Sequence, residues 1–292
     1  MDHSKYIALD VGGTSIKSGI LFENGVEGEI KQTFINSKGS KEEILSVFKA
    51  IFDFHFAQLK GQLPCCLAIA FPGPFDYENG ICKILGVQKY EAIYDVNLRK
   101  EFSNFLPQND IPIFFCNDAE AAITGESQLG GGKGITKALG ITLGTGLGGA
   151  FMIDGIPRRE GKGVTSDGEI YYFKFKEEIG DDVFSIRGLS KRFAEANIQI
   201  KGIKEASEAA RAGNQKLKEV FQQFGTDLGV FLLQITSEFE AEAVLALGGI
   251  ANAADLFTTE VEAQINIPFI EGVLGQKAPL FGAVALAKIT YF

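Results

Sequence analysis

Runs of β-branched and aromatic residues, bounded by glycine, proline or asparagine, predict the strands of this chain. The predicted strands are residues 5–11, 15–22, 28–36, 65–71, 111–116, 138–143, 148–153 and 243–249. The first three are separated by a turn at Gly12–Thr14 and another at Asn24–Gly25, which predicts a three-stranded meander. The apolar runs at 65–71 and 111–116 predict buried strands.

Apolar residues that recur at every third or fourth position predict the helices. The predicted helices are residues 41–60, a small-residue segment after Asp118, a long region from 203 to 239 interrupted near Gly213, and residues 251–262 and 280–289. Ser40 and Glu43 have the spacing of a capping box at the start of the first helix. Together the elements predict an α/β fold with mixed sheets flanked by helices.

The second half of the chain repeats the strand–turn–strand pattern of the first, and no low-complexity linker separates the halves. With 292 residues the chain exceeds a typical single domain, so two lobes are expected. We place the boundary near residues 117–119, where the chain crosses from the first lobe to the second. The last helix is expected to pack back on the first lobe. The expected lobes are a small one of residues 1–117 plus 279–292, and a large one of residues 118–278.

The net charge of -9 provides no general electrostatic attraction to nucleic acid or to an anionic membrane. No apolar stretch approaches the roughly 18 residues needed to span a bilayer, and residues 1–3 do not begin a signal peptide. We therefore expect a cytoplasmic protein with neither nucleic-acid nor membrane partners.

The cysteines and histidines limit the chemistry that is available. Four cysteines without metal-ligand or secreted-scaffold spacing are interpreted as reduced core thiols: Cys65, Cys66, Cys82 and Cys116. The two histidines, His3 and His55, are too few for a histidine-rich metal site or for histidine acid/base chemistry. Catalysis is therefore expected to depend on carboxylates.

Two glycine turns at strand ends have the composition of phosphate-binding loops. The residues are Asp10, Gly12, Gly13, Thr14 and Lys17 at the first, and Gly144, Thr145 and Gly146 at the second. Backbone N–H groups of such turns approach phosphate oxygens closely, threonine adds a donor, and Asp10 can hold hydrated Mg2+. Each turn alone is also compatible with an ordinary hairpin. The pair, one in each half, predicts lobes that close on the two ends of one polyphosphate.

Asn117 and Asp118 stand at the carboxyl end of a predicted strand, immediately before a helix. Taken alone, an aspartate at this position is more often an N-cap than a catalytic group. A carboxylate at this end of a strand, facing a crevice between lobes, is also where a base for a substrate hydroxyl is expected.

Two further segments combine glycine with groups suited to a sugar or a nucleotide. Glu169, after Gly168, can hydrogen-bond vicinal hydroxyls, and Tyr172 can pack on the apolar face of a sugar ring. The alternative is a solvated Glu169 followed by tyrosines that begin a strand. Gly248 and Gly249 end a buried strand before a helix, where a nucleotide base or ribose can lie against the backbone.

In this order the motifs resemble those of the ROK family of sugar kinases and regulators, over nearly the whole chain. The matching segments are DVGGTSIKSGI, AIAFPGPFDYENG, ND before AEAAITGE, LGTGLGGAFMIDG, LALGGIAN and PLFGAVALAK. The resemblance implies a two-lobed, actin-like ATPase fold of the ribonuclease H-like kind, with a cleft between the lobes. It also implies a homodimer.

The resemblance further implies a glucokinase-like, ATP-dependent hexose kinase that uses Mg-ATP, with glucose as the default substrate. By position it implies Asp118 as the general base, Asn117 and Glu169 as sugar ligands, and a loop with Gly73 beside the sugar. The implied phosphate and adenosine residues are Gly12, Gly13, Thr14, Thr145 and Gly146, with Gly248 and Gly249 at the adenosine.

The chain departs from the family pattern at the positions of the zinc-binding residues. Tyr172 occupies the position of a histidine that in typical members touches the sugar and ligates a structural zinc, and no cysteine follows Cys116. We therefore expect no zinc, as in a branch that includes kinases similar to β-glucoside kinases. A family glutamate beyond the cysteine cluster has no clear counterpart, Asp182 being the candidate stand-in.

Several alternatives to a glucose kinase follow from these departures. The acceptor alternatives are a β-glucoside such as cellobiose, another hexose or an amino sugar. A sugar-sensing regulator is a different class, but family repressors carry an N-terminal helix-turn-helix, whereas here the phosphate strand begins within the first ten residues. A relative that binds sugar without transferring phosphate is disfavoured by Asp118 and both glycine turns.

Overall fold

The computed structural model describes residues 4–22, 25–108, 110–165 and 168–291, without the side chains of residues 26 and 27. His3 and Asn24 of the sequence predictions lie outside the described residues. The strands are β1 Tyr6–Val11, β2 Ser15–Phe22, β3 Gly25–Phe34, β4 Cys66–Phe71, β5 Phe75–Asp76, β6 Ile81–Cys82, β7 Ile113–Asn117, β8 Lys137–Leu143, β9 Leu147–Ile153, β10 Ile156–Arg158, β11 Lys174–Phe175, β12 Glu178–Ile179, β13 Ala243–Leu247 and β14 Phe269–Glu271. The helices are α1 Lys41–Gln58, α2 Leu98–Ser103, α3 Asp118–Leu129, α4 Gly180–Val183, α5 Ile186–Glu195, α6 Ile203–Arg211, α7 Gln215–Phe239, α8 Thr258–Ile265 and α9 Ala278–Tyr291.

The chain divides into two compact units. The first unit is Met1–Gly125 with Gln276–Phe292, and the second is Glu126–Gly275. The lobe limits expected at 117 and 279 stay a prediction, close to these boundaries. No helix within the described residues is long and apolar enough to cross a membrane.

The first unit is built on a five-stranded sheet in the order β3-β2-β1-β4-β7. The pairs β3-β2 and β2-β1 are antiparallel, as the predicted meander requires, whereas β1, β4 and β7 run parallel. In register, Asp10 faces Ala70 of β4, and Phe71 at the end of β4 faces Asn117 of β7. Because parallel strands end at the same sheet edge, the carboxyl ends of these three strands lie side by side.

Helix α1 covers one face of this sheet. The predicted capping box of Ser40 and Glu43 is present, and the apolar stripe of the helix is buried. Phe48 and Phe52 pack with Phe102 of α2, at ring-centroid distances of 4.8 and 5.2 Å. A buried aromatic cluster of this kind contributes through its large apolar area and its tilted ring contacts. It joins α1 to α2.

Helix α9 packs against β1, β4 and β7 in the same unit. Glycines allow α9 and α3 to approach closely, because a Cβ atom on Gly282 would overlap the carbonyl of Ala121, and one on Gly125 the carbonyl of Ala278. The last helix therefore belongs to the first unit.

The second unit repeats this plan with a sheet in the order β10-β9-β8-β13-β14. Here β8, β9 and β10 are antiparallel, and β8, β13 and β14 are parallel. The predicted interruption near Gly213 is confirmed, since α6 ends at Arg211 and the side chain of Asn214 caps α7 by accepting the N–H of Leu217. The two related sheets agree with the predicted mixed α/β fold.

One helix prediction was wrong in its first half and right in its second. Residues 251–262 form a 3₁₀ turn, Ala251–Leu256, followed by α8 from Thr258. Phe257 has φ of -148° and ψ of -4°, outside the helical range, and its ring is fully buried. The helix that the local pattern suggests is therefore interrupted at Phe257.

The four cysteines are free thiols, and Cys66, Cys82 and Cys116 are buried, in agreement with their interpretation as reduced core residues.

Candidate active site

The first glycine turn joins β1 to β2 in the first unit. The Gly12 N–H donates to the Ser15 carbonyl at 3.0 Å, and a Cβ on Gly12 would lie 2.9 Å from that oxygen. A Cβ on Gly13 would meet only the Cδ of Lys89, at 3.8 Å, and Thr14 is exposed. We call Gly12 closed, because a side chain there would clash with backbone, and Gly13 open, because a side chain there would not. An open glycine suits close approach of a phosphate.

Two hydroxyl groups hold the carbonyls of this turn. The Ser37 hydroxyl donates to the Gly13 carbonyl at 2.5 Å, and the Tyr90 phenol donates to the Gly12 carbonyl at 2.6 Å. The Tyr90 N–H in turn donates to the Ser37 carbonyl at 2.6 Å. Because both oxygens are bonded within the protein, neither turns outward to repel an anion.

Two carboxylates accompany the turn at the same sheet edge. Asp10 lies 3.4 Å from the ammonium of Lys17. Burial raises the pKa of Asp10, Lys17 lowers it, and the charge of Asp118 raises it further. Asp118 therefore lies within electrostatic range of Asp10. Two carboxylates in this arrangement suit a proton acceptor and a neighbour of a hydrated cation.

Asp118 is the first residue of α3, directly after β7. Its Oδ1 accepts the N–H of Ala119 at 2.9 Å. Burial raises the pKa of Asp118 above its usual value, while the Ala119 N–H and the charge of Lys89 lower it. A raised carboxylate pKa makes Asp118 a stronger proton acceptor, as a general base requires.

Asn117, not Asp118, performs the capping role at this strand-to-helix junction. The Asn117 Oδ1 accepts the N–H of Glu120 at 3.0 Å, the distance along the chain that an N-cap spans. Its Nδ2 donates to the phenol of Tyr77 at 3.2 Å, and that phenol donates to the Phe71 carbonyl at 3.1 Å. Tyr77 thus fixes the orientation of the Asn117 amide.

Gly73 lies in the loop after β4, beside the same tyrosine. A Cβ on Gly73 would lie 3.4 Å from the Tyr77 phenol and 3.9 Å from the Asn117 Nδ2. The structure therefore brings Gly73, Asn117 and Asp118 together at the sheet edge that also carries Asp10 and the first glycine turn.

The second glycine turn joins β8 to β9 in the second unit. The Gly144 N–H donates to the Gly146 carbonyl at 3.1 Å, and the Ile186 N–H donates to the Gly144 carbonyl at 2.8 Å. A Cβ on Gly144 would meet nothing within 4 Å, whereas one on Gly146 would lie 2.6 Å from the Asp181 Oδ1. This turn too has one open and one closed glycine.

An aspartate and an arginine support the second turn. Asp181 accepts the N–H of Leu147 at 2.7 Å. Arg187 donates to the Thr145 carbonyl at 2.9 Å and to Asp181 at 2.7 Å. Asp182, the stand-in named from the sequence, accepts from Arg187 at 3.4 Å. Charge-assisted bonds of this kind are stronger than the neutral bonds at the first turn.

The glycines at the end of β13 lie against the second turn. Gly248 has φ of +96°, and a Cβ on it would lie 2.5 Å from the Leu143 carbonyl. The Ile250 N–H donates to that carbonyl at 3.0 Å, while a Cβ on Gly249 would meet nothing within 4 Å. Glycine is required at 248 by both conformation and space, and Gly249 leaves its face open.

Glu169 and Tyr172 lie elsewhere in the second unit, after β10. The Glu169 carbonyl accepts the Thr165 hydroxyl at 2.9 Å, and the Glu169 side chain is half-buried. Tyr172 is 37% exposed, and its ring stands edge-on to those of Tyr171 and Phe173. The tyrosines do not begin a strand, because β11 starts at Lys174.

The residues present fit magnesium and a nucleotide. The Asp10 carboxylate provides a hard oxygen acceptor for the bound water of a cation. The open faces at Gly13, Gly144 and Gly249 leave backbone accessible where phosphate or ribose would lie. Among the described residues, no three histidine, cysteine, aspartate or glutamate side chains form a metal-binding group.

The sequence predictions missed the residues that hold the two turns and the Asn117 amide. They are Ser37, Tyr77, Tyr90, Asp181 and Arg187. Only Tyr77 had a local signal, because it lies four residues after Gly73 in the same proline- and glycine-rich segment. The turn residues that the other four contact are at least 24 residues away along the chain.

Comparison with known proteins places the chain among relatives of similar length. The model of the ROK family matches residues 6–289. A glucokinase of Streptomyces coelicolor is 25% identical over 97% of both chains. An N-acetylmannosamine kinase of Haemophilus influenzae is 24% identical over 97% of this chain and 95% of that protein.

A solved structure shares the fold. The ROK family glucokinase of Streptomyces griseus, in complex with glucose and AMPPNP, superposes with a TM-score of 0.73 at 23% identity. The match covers 98% of this chain and all of the other. The predicted actin-like fold is confirmed by this similarity.

Proposed function

The chain belongs to the ROK family and is an ATP-dependent sugar kinase, and we propose that it phosphorylates a hexose hydroxyl with Asp118 as the general base. The observation that carries this assignment is the position of Asp118 at the carboxyl edge of three parallel strands, beside Asp10 and the first glycine turn. Asn117 caps the helix in its place, so the Asp118 carboxylate is not needed for that purpose.

In the proposed reaction, Asp118 accepts the proton of the attacking sugar hydroxyl as the new O–P bond forms. Its raised pKa, caused by burial, supports this role, and the Ala119 N–H holds the carboxylate in place. Asn117, Glu169, Tyr172 and the loop with Gly73 are the proposed sugar contacts. The Tyr77 phenol supports Asn117 by fixing its amide.

The two glycine turns are the proposed phosphate contacts. Gly12, Gly13 and Thr14 would bind through backbone N–H groups and a hydroxyl, with Lys17 beside Asp10. In the second unit the proposed contacts are Gly144, Thr145 and Gly146 at the phosphates, and Gly248 and Gly249 at the adenosine. Asp10 is the proposed neighbour of Mg2+ through water, and the ion would supply charge neutralisation on the phosphates.

Glucose is the proposed substrate by default, since a glucokinase is among the similar proteins. An amino sugar is the first alternative, because an N-acetylmannosamine kinase is about as similar. A β-glucoside is the second, since the exposed ring of Tyr172 stands where typical members have histidine and offers a stacking surface. We also propose that the protein is a cytoplasmic homodimer that binds no zinc.

A coupled ADP-release assay over glucose, mannose, fructose, N-acetylated hexosamines and cellobiose tests the substrate. Glucose should give the highest kcat/KM, and a preference for an N-acetylated sugar or cellobiose would favour the alternatives. Failure to phosphorylate any sugar in the panel would refute the assignment of a hexose acceptor.

A further inference from the structure

The segment that precedes the 3₁₀ turn at Glu91–Ile93 is fixed to the first glycine turn. Tyr90 donates its phenol to the Gly12 carbonyl and its N–H to the Ser37 carbonyl, both at 2.6 Å. The Ser37 hydroxyl in turn donates to the Gly13 carbonyl of the same turn. Tyr90 and the glycine turn are therefore linked by hydrogen bonds, although 78 residues separate Tyr90 from Gly12 along the chain.

The backbone on both sides of Lys89 is held in an uncommon conformation. Gln88 and Tyr90 have φ of 57° and 58°, in the left-handed region that non-glycine residues rarely adopt. Gln88 is held by two side chains, because its N–H donates to Glu91 at 2.9 Å and its Oε1 accepts from Lys38 at 3.2 Å. Such strained positions concentrate at functional sites, where the surrounding structure maintains them.

This fixed segment places the side chain of Lys89 over the glycine turn. Its Cδ lies 3.8 Å from the point that a Cβ on Gly13 would occupy, on the face of the turn left open by that glycine. The charge of Lys89 is also felt by Asp118, whose pKa it lowers. Within the described part of the chain, the Lys89 ammonium has no ion pair or hydrogen bond, whereas Lys17 is paired with Asp10.

We propose that Lys89 is a further catalytic residue, whose ammonium contacts the phosphoryl group in transfer beside the first glycine turn. The inference rests on the kinase function proposed above. In the transfer the bond between the sugar oxygen and the γ-phosphorus forms, and the bond from that phosphorus to the bridging oxygen breaks. The electron pair of the broken bond stays on ADP, and the hydroxyl proton passes to Asp118.

A cation at this position has two effects on that step. It stabilises the negative charge on the equatorial oxygens of the transferring group, as lysine does at many phosphate sites. It also keeps the Asp118 carboxylate deprotonated at lower pH, because it offsets part of the effect of burial. Lys89 therefore acts both on the phosphoryl group at the first glycine turn and on the general base Asp118.

The test compares Lys89→Met with Lys89→Arg and a control, Lys83→Met. Lys83 lies in the same region and pairs with Asp95, but both side chains are well exposed, so its loss should be nearly silent. Thermal unfolding should give similar Tm values for all variants, since the Lys89 ammonium holds no bond within the described residues.

The first readout is turnover on the preferred sugar. Lys89→Met should lower kcat by about 100-fold, the effect of removing one donor that acts on transition-state charge. Lys89→Arg should restore part of the loss, and the KM for the sugar should change little. The acid limb of the kcat/KM profile should move to higher pH in Lys89→Met, which a merely structural role would not cause.

The second readout does not need a sugar. Calorimetry with Mg2+ and either AMPPNP or ADP should show that Lys89→Met weakens AMPPNP about tenfold more than ADP, because only AMPPNP carries the third phosphate. If no sugar is phosphorylated by the unaltered protein, the acceptor assignment fails, but this ratio still decides the role of Lys89. A ratio and a kcat within about twofold of the parent would overturn the proposal.

Discussion

The two glycine turns of this protein have similar sequences but are held in different ways. The first turn is held by neutral hydroxyls, from Ser37 and Tyr90, which occupy its carbonyls. The second is held by charged groups, with Asp181 on the Leu147 N–H and Arg187 on the Thr145 carbonyl. Similar motifs therefore do not imply similar supports.

The difference follows from what lies next to each turn. The first turn shares its sheet edge with Asp10 and Asp118. Burial raises the pKa of Asp10 and the charge of Asp118 raises it further, so another carboxylate there would add to this repulsion. At the second turn, Arg187 neutralises Asp181, and the pair lies partly exposed to solvent. We infer that the first turn belongs to the chemical step and the second mainly to nucleotide affinity.

The largest expected effect comes from Asp118→Asn. The amide keeps the shape but cannot accept the hydroxyl proton, so kcat should fall by about 1,000-fold, within the range of general-base catalysis. The KM values should change little, because the phosphate contacts remain. Steady-state kinetics in the ADP-release assay measures this, with Asp110→Asn as a surface control. Activity near that of the parent would remove Asp118 as the base and weaken the contrast between the turns.

The sequence predicted the parts of this contrast that depend on local pattern. The glycines, Asp118 and the strand ends were found because each is marked by its immediate neighbours, as a turn or as a strand that changes to a helix. The supports were not found, because Asp181 reaches Leu147 across 34 residues and Tyr90 reaches Gly12 across 78. Such pairs depend on the tertiary fold, and a single sequence carries no local trace of them.

The next effect separates the closed from the open glycine of each turn. Gly12→Ala should destabilise the protein by about 2 kcal/mol, because its Cβ would meet a backbone carbonyl at 2.9 Å that cannot move away alone. Gly146→Ala should cost less, since the carboxylate of Asp181 can shift. The open positions provide matched controls, because Gly13→Ala and Gly144→Ala should leave Tm nearly unchanged. Urea unfolding measures all four, and equal losses at open and closed positions would contradict this division.

A smaller effect is expected from Asp181→Asn. The Leu147 N–H would lose a charged acceptor and Arg187 its partner, so the second turn should loosen and the KM for ATP should rise about tenfold. Because Asp181 is assigned no part in proton transfer, kcat should change by less than about threefold. Tyr90→Phe is the equivalent substitution at the first turn, because it removes the hydroxyl that donates to the Gly12 carbonyl. If Asp181→Asn lowered kcat and left the KM for ATP unchanged, the proposed division of roles would be reversed.

The smallest effect concerns the stability cost of the catalytic carboxylate. Burial raises the folded-state pKa of Asp118 above its ordinary value of 3.8, so the folded protein binds this proton more tightly than the unfolded chain. The stabilisation that the bound proton provides is present below pH 3.8 and is lost as the pH rises through the folded-state pKa. Asp118→Asn removes the charge, and the variant should therefore have a higher Tm than the parent at pH 7, with the difference vanishing toward pH 4. Asp181→Asn, which loses a well-paired carboxylate, should have a lower Tm at pH 7. Calorimetric scans of both variants at the two pH values measure the signs, and a lower Tm for Asp118→Asn at pH 7 would show that its carboxylate stabilises the fold.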